Sequence, residues 1–117
     1  MANPNIVNVA TINGNTAVQA VGTSATAIVT NSAASGKIYK VNLLIVSNID
    51  GTNNAEVTAD LYRSSTAYHI AKTVVVPADA SLDVLSKPLY LLEGDALRLT
   101  ANATGDLEAV CSFEEIS

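Results

Sequence analysis

Turn-forming residues recur along this chain at intervals too short for helices of ordinary length. Gly22-Thr23-Ser24, the small-residue loop 31–36, Asp50-Gly51, Ser64-Ser65-Thr66, Pro77 to Ala80, Ser86-Lys87-Pro88, Glu93-Gly94-Asp95 and Thr104-Gly105-Asp106 punctuate it. Between these breaks the residues alternate between apolar and polar with period two, the pattern of half-buried strands. No segment carries a convincing helical period. Alanines in AKTVVVPADASLDVL leave room for one helical turn, but three adjacent valines oppose anything longer. Short strands at regular spacing predict an all-β fold, an antiparallel β-sandwich of about eight strands, with a jelly roll among the topologies allowed.

The strongest strand is KIYKVNLLIVSN, 37–48. Strict alternation puts Tyr39, Val41, Leu43 and Ile45 on one face, read as core. Lys40, Asn42, Leu44 and Val46 then fall on the other, leaving Leu44 and Val46 as apolar surface for an arm, a loop or another subunit. AEVTADLYR sends Ala55, Val57, Ala59 and Leu61 one way and Glu56, Thr58, Asp60 and Tyr62 the other. ALRLTANA and LEAVCSFEE form an expected closing hairpin, with Leu97, Leu99 and Ala101 facing Leu107, Ala109, Cys111 and Phe113. The predicted core is therefore Tyr39, Val41, Leu43, Val57, Leu61, Leu97, Leu99, Cys111 and Phe113. Residues 1–15, MANPNIVNVATINGN, are expected to form an extended N-terminal arm that contacts a neighbour through Ile6, Val9 and Ile12. Residues 16–117 are the single β-domain.

Composition narrows the functional classes. The 117 residues carry only 15% charged side chains, against about 25% in an average soluble domain. Serine, threonine and asparagine replace them. Such a surface packs against a neighbour with fewer charges to desolvate. The net charge is −5, and the six basic residues are scattered singly, which gives no patch for a phosphate backbone or an anionic membrane. The longest apolar runs are far too short to span a bilayer, and the N-terminus lacks the pattern of a signal peptide. Cys111 is the sole cysteine, so no internal disulfide forms, and its alternating position predicts a buried, inert thiol.

His69 is the natural candidate for chemistry, being the single histidine, with Tyr62, Arg63, Tyr68 and Lys72 nearby in sequence. General-base work needs a partner within hydrogen-bond reach and a group that orients the pair. No nucleophile elbow accompanies it, so His69 is expected at an interface or rim, and no catalytic residue is assigned. A zinc site would have only His69 and Cys111 besides carboxylates. DGTNNAE (50–56) offers oxygens from Asp50, Asn53 and Glu56, but lacks the alternating acids and sixth-position glycine of a calcium loop. No metal and no cofactor is assigned. Asp60, Asp83 and Glu108 lie on strands without a paired-carboxylate signature. Tyr62, Tyr68 and Tyr90 suit a sugar platform or a protein contact equally well.

From G36-K-I-Y-K-V, through V46-S-N-I-D-G, Y68-H-I-A-K-T-V-V-V-P-A and K87-P-L-Y-L-L-E-G-D-A-L-R-L-T-A, to S112-F-E-E-I, the chain resembles small virion structural proteins of tailed bacteriophages. The likeness is strongest to those of marine bacteria and cyanobacteria, and covers roughly residues 16–117. It implies a sandwich or jelly-roll-like domain on the virion that decorates or cements the capsid, or belongs to the neck or tail. It also implies a homo-oligomer, a trimer first, with major capsid or neck and tail proteins as partners. There are no catalytic residues to carry over. The competing expectation is a carbohydrate- or receptor-binding module of a small fibre.

Overall fold

The computed structural model describes residues 4–117, so the first three residues of the expected arm lie outside it. Breaks and alternation become nine strands among the described residues: β1 (Ile12–Ala20), β2 (Thr26–Thr30), β3 (Ile38–Asn48), β4 (Ala55–Arg63), β5 (Thr66–Val76), β6 (Ser81–Asp83), β7 (Leu89–Leu91), β8 (Ala96–Ala101) and β9 (Leu107–Ile116). They form two antiparallel sheets. One runs β1-β9-β3-β6, with β7 also on β3; the other runs β2-β8-β4-β5. The short strands β6 and β7 share one edge of β3, separated by the Lys87-Pro88 break, since proline offers the ladder no donor.

Counted as one interrupted strand, β6 and β7 reduce the order to 1-8-3-6 facing 2-7-4-5. First pairs with last, second with second-last, and so inward to the β4–β5 hairpin. This is a long hairpin rolled across two sheets, the jelly-roll order. The β4–β5 tip is Ser64-Ser65, both with positive φ (51° and 60°). Two consecutive left-handed residues give a hairpin turn whose twist matches its strands.

The core lies between the sheets. Val41, Leu44, Val46, Leu107, Ala109 and Cys111 of one sheet meet Val29, Ala55, Val57, Ala59, Leu97 and Leu99 of the other. Tyr39 stacks on Phe113, with ring centroids 5.5 Å apart. Val76 is buried and Val74 packs on the core from the partly exposed β5, while Val75 points outward.

Strict alternation fails on β3. Val41 pairs with Phe113 and Leu43 with Ser112, so Asn42 is an extra residue, a β-bulge. One inserted residue reverses every later side chain. Leu44 and Val46 are fully buried, whereas Leu43 and Ile45 are half-buried on the outer face. The expected roles of the two pairs are therefore exchanged. Leu61 is likewise half-buried at the end of β4, packed on the margin of the core.

The expected closing hairpin is also absent. β8 pairs with β2 and β4, whereas β9 pairs with β1 and β3, so residues 102–106 cross from one sheet to the other. The inward faces of β8 and β9 are as read from the alternation, because they meet across the core and not along a ladder. β1 begins at Ile12 and pairs with Ile116. Residues 12–15 of the expected arm are thus an edge strand of this domain.

Candidate interaction surface

His69 lies on β5, in register with Asp60 of β4. Asp60 is almost fully buried and already committed: Arg98 Nε donates to Oδ1 at 2.9 Å and its second nitrogen to Oδ2 at 3.3 Å. The Arg98 guanidinium lies 3.9 Å from the centroid of Tyr62, a cation–π contact. Arg98 is held in its charged form, first by the hydrogen bond to Asp60. The imidazole of His69 is exposed. The carboxylate paired with it in register is spent on Arg98 and is not free to orient the imidazole.

Arg63 closes a second ion pair, with Asp95 at the turn before β8. Burial alone pushes the Asp95 carboxyl up, but the Arg63 guanidinium and the Leu92 N–H outweigh it and hold the group below its ordinary range. Tyr62 and Arg63 are therefore fastened to the scaffold, whereas Tyr68 is 57% exposed on the outer strand. Tyr90 is exposed on β7, in the other sheet. Tyr62, Tyr68 and Tyr90 do not converge on one platform.

The remaining expected contact residues separate. Ile6 and Ile12 are exposed and Val9 is half-buried at the β1 end of the domain. Leu44 and Val46, expected at an interface, are core residues for the reason given above. Asp50 caps its own turn: the N–H groups of Thr52 and Asn53 donate to Oδ1, and the Asn53 amide donates to Oδ2. These bonds, the Thr52 N–H first, lower its pKa. Burial raises the Cys111 thiol to about 11.

Two buried asparagines escaped the sequence reading. The Asn31 side-chain amide donates to the carbonyls of Lys37 and Leu91, and Ser35 donates to its oxygen. The Asn48 amide donates to the carbonyls of Asn53 and Val76. The Asn31 amide ties the loop after β2 to β7 of the other sheet, and the Asn48 amide ties the end of β3 to β5 of the other sheet. Nothing in the pattern distinguishes them from the chain's other turn asparagines.

A further feature is the outer face of the first sheet. Val18 of β1, 76% exposed, pairs with Val110 of β9, 41% exposed, and Val110 pairs in turn with half-buried Ile45 of β3. An apolar row thus crosses three strands in the open. Beside it is a shallow cavity of about 250 Å³ lined by Val18, Gln19, Ala20, Glu108, Ala109 and Val110. The alternation around Cys111 implied an outward Val110; only the pairing shows that Val18 and Ile45 continue the row.

Fold and surface together define a jelly-roll β-sandwich with apolar side chains at its margins. No family model matches the chain, and no curated protein matches it. Among solved structures, the fold is similar to that of a protein of Bacillus endospore appendages, a family of disulfide-linked pili. That match has 17% identity and a TM-score of 0.56, covering 92% of this chain and 87% of that one. A pentameric capsid protein from metagenomic phage sequences aligns more distantly, with 20% identity and a TM-score of 0.45 over 87% of this chain. This chain spans 62% of that capsid protein's length.

Proposed function

We propose that the chain is a non-enzymatic structural subunit of a bacteriophage particle, attached to the capsid or neck surface as a homo-oligomer that stabilises or decorates it. The observation that carries this reading is where the exposed apolar side chains lie. Ile12 and Val18 are on one sheet edge, Tyr68 and Val75 on another, and Val110 on the flat face between β1 and β3. Ligand pockets gather apolar groups into a concavity, whereas subunits that contact several neighbours distribute them over faces and edges. The particle assignment follows the sequence resemblance. The trimer expectation rests on that resemblance alone.

The Bacillus protein of similar fold builds a pilus, and disulfides link it. Linkage of that kind has only Cys111 to draw on here, and Cys111 is fully buried. The fibre-head reading gains no support from Tyr62, which is covered by Arg98. Sedimentation of the purified protein over a wide concentration range tests the homo-oligomer: a monomer throughout sinks it. Antibody labelling of purified particles tests the location, and particles that never carry the chain would remove the virion assignment.

A further inference from the structure

Four sheet edges exist in this sandwich, and three are blunted. β2 is five residues long, carries a bulge between Ala27 and Val29, and has two carbonyls taken by the Gln19 amide. β5 has two register shifts, a lysine at position 72 and a positive φ at Thr73. β6 and β7 are three residues each, with Lys87 and Pro88 between them. Bulges, short strands, lysine and proline are the usual protections against strand addition. β1 has none of them. Its nine residues, INGNTAVQA, carry no charge and no proline, and they pair with β9 without a bulge from Ile12–Ile116 to Ala20–Glu108.

The parity of that ladder fixes what the open edge presents. Thr11 and Ser117 exchange both N–H···O bonds, at 3.0 and 2.9 Å, and the Val21 N–H donates to the Leu107 carbonyl. Odd-numbered residues of β1 therefore direct their backbone groups to β9. Ile12, Gly14, Thr16, Val18 and Ala20 direct theirs away from the sheet, and the side chains of the four that are not glycine line its outer face.

We propose that a second copy of this chain adds along β1, antiparallel, with the two-fold axis at Thr16. The proposal rests on the homo-oligomer reading and names the surface that joins the copies. The strand is self-complementary in this register. Thr16 meets Thr16, a favourable cross-strand pair. Val18 lies over Gly14 of the other copy, where no atom stands within 4 Å of the missing side chain. Ile12 faces Ala20 of the other copy, beside the shallow cavity that Val18, Ala20 and Val110 line. Large meets small at each step, and the outward backbone groups of the five residues satisfy one another. A two-fold contact uses the same patch twice and closes on itself, so it consumes the unprotected edge without making a fibre. The strand's lack of charge favours a copy of itself over a partner recognised electrostatically.

The experiment compares the full chain with Thr16→Pro and Val18→Lys by sedimentation velocity. The Thr16 N–H points outward, so proline there removes an intersubunit bond and no intrachain one. Lysine at position 18 sets a charge against the second copy. Both variants should keep the β spectrum and lose the dimer at concentrations where the parent is dimeric. Should Thr16→Pro fail to fold, Val18→Lys alone decides. In parallel, Thr16→Cys should yield a covalent dimer with a short bismaleimide, and Lys72→Cys on β5 should not. An oligomer that persists in the folded variants, with no Thr16→Cys cross-link, overturns the edge pairing and leaves the homo-oligomer reading standing. A parent that is monomeric throughout overturns both.

Discussion

Arg63 and Asp95 meet as a fork: Nε donates to Oδ1 at 2.8 Å and the second guanidinium nitrogen to Oδ2 at 2.6 Å. The pair ties the end of β4 to the turn that precedes β8, and its two members are unequally placed. Asp95 is nearly inaccessible, whereas the Arg63 side chain is 43% exposed. Removing the arginine strands a buried carboxylate; removing the carboxylate leaves a guanidinium that reaches water. Arg63→Ala should cost about 2–3 kcal/mol, and Asp95→Asn, which leaves a neutral side chain, should cost less. Urea melts of both decide the order, and equal costs would show that burial of Asp95 is not what matters.

The same carboxylate sets part of the acid response. Asp95, Asp50 and Glu115 all lie below their ordinary range: Asp95 by Arg63 and Leu92 against burial, Asp50 first by the Thr52 N–H, and Glu115 first by Asn15. A folded pKa below the unfolded one means the unfolded chain takes up protons first as pH falls. The stabilisation is complete above the unfolded values, about 4, and is lost as pH falls through the folded ones. The melting temperature should be level from pH 7 to about 5 and fall below about 4. Asp95→Asn should start lower at pH 7 and fall less steeply.

The bulge at Asn42 separates two leucines that are adjacent in sequence. Leu44→Ala removes a fully buried side chain and should cost about 2–5 kcal/mol. Leu43→Ala, on the half-buried outer face, should cost about 1 kcal/mol. Deleting Asn42 sets Leu43 directly after Val41, restores strict alternation and keeps Leu44 and Val46 facing the core, so that variant should fold with an unbroken β3–β9 ladder. A deletion variant that does not fold would place the extra residue elsewhere.

The Ser64-Ser65 turn holds two serines at positive φ, a conformation that costs L-residues about 1–2 kcal/mol each. Replacing the pair by Asn-Gly, the preferred residues for this turn, should raise stability by about 1 kcal/mol. That corresponds to about 4 °C in melting temperature. An unchanged or lower melting point would mean that the serines relieve the strain by other means.

His69 is exposed, and the Asp60 carboxylate in register with it is committed to Arg98. His69→Gln and His69→Ala should both stay within about 0.5 kcal/mol of the parent in thermal melts. Elemental analysis of parent and His69→Gln should agree in metal content; loss of a metal with the substitution would make His69 a ligand.

Cys111 should react with thiol reagents at pH 8 only as the chain unfolds, because burial both covers the sulfur and raises its pKa to about 11. Labelling measured against denaturant should follow the unfolding curve.

Much of this protein was legible from local chemistry. Alternation and turn residues determine the all-β class, the inward faces of β4, β8 and β9, and the burial of Val41, Val57, Leu97, Leu99, Cys111 and Phe113. They do so because a strand's period depends only on its own backbone. The tertiary structure decided what depends on a second strand. The bulge at Asn42 is visible only against Phe113 and Ser112 of β9, and it alone moves Leu44 and Val46 from surface to core. Whether the chain after β8 turns back beside it or crosses to the other sheet is a choice between partners that the sequence leaves open, since both choices bury the same faces. Asp60 and Asp95 read as ordinary polar positions until Arg98 and Arg63 arrive from strands distant in sequence and bury them. The open edge of β1 follows the same rule, for a strand is an edge only by where the rest of the sheet stops.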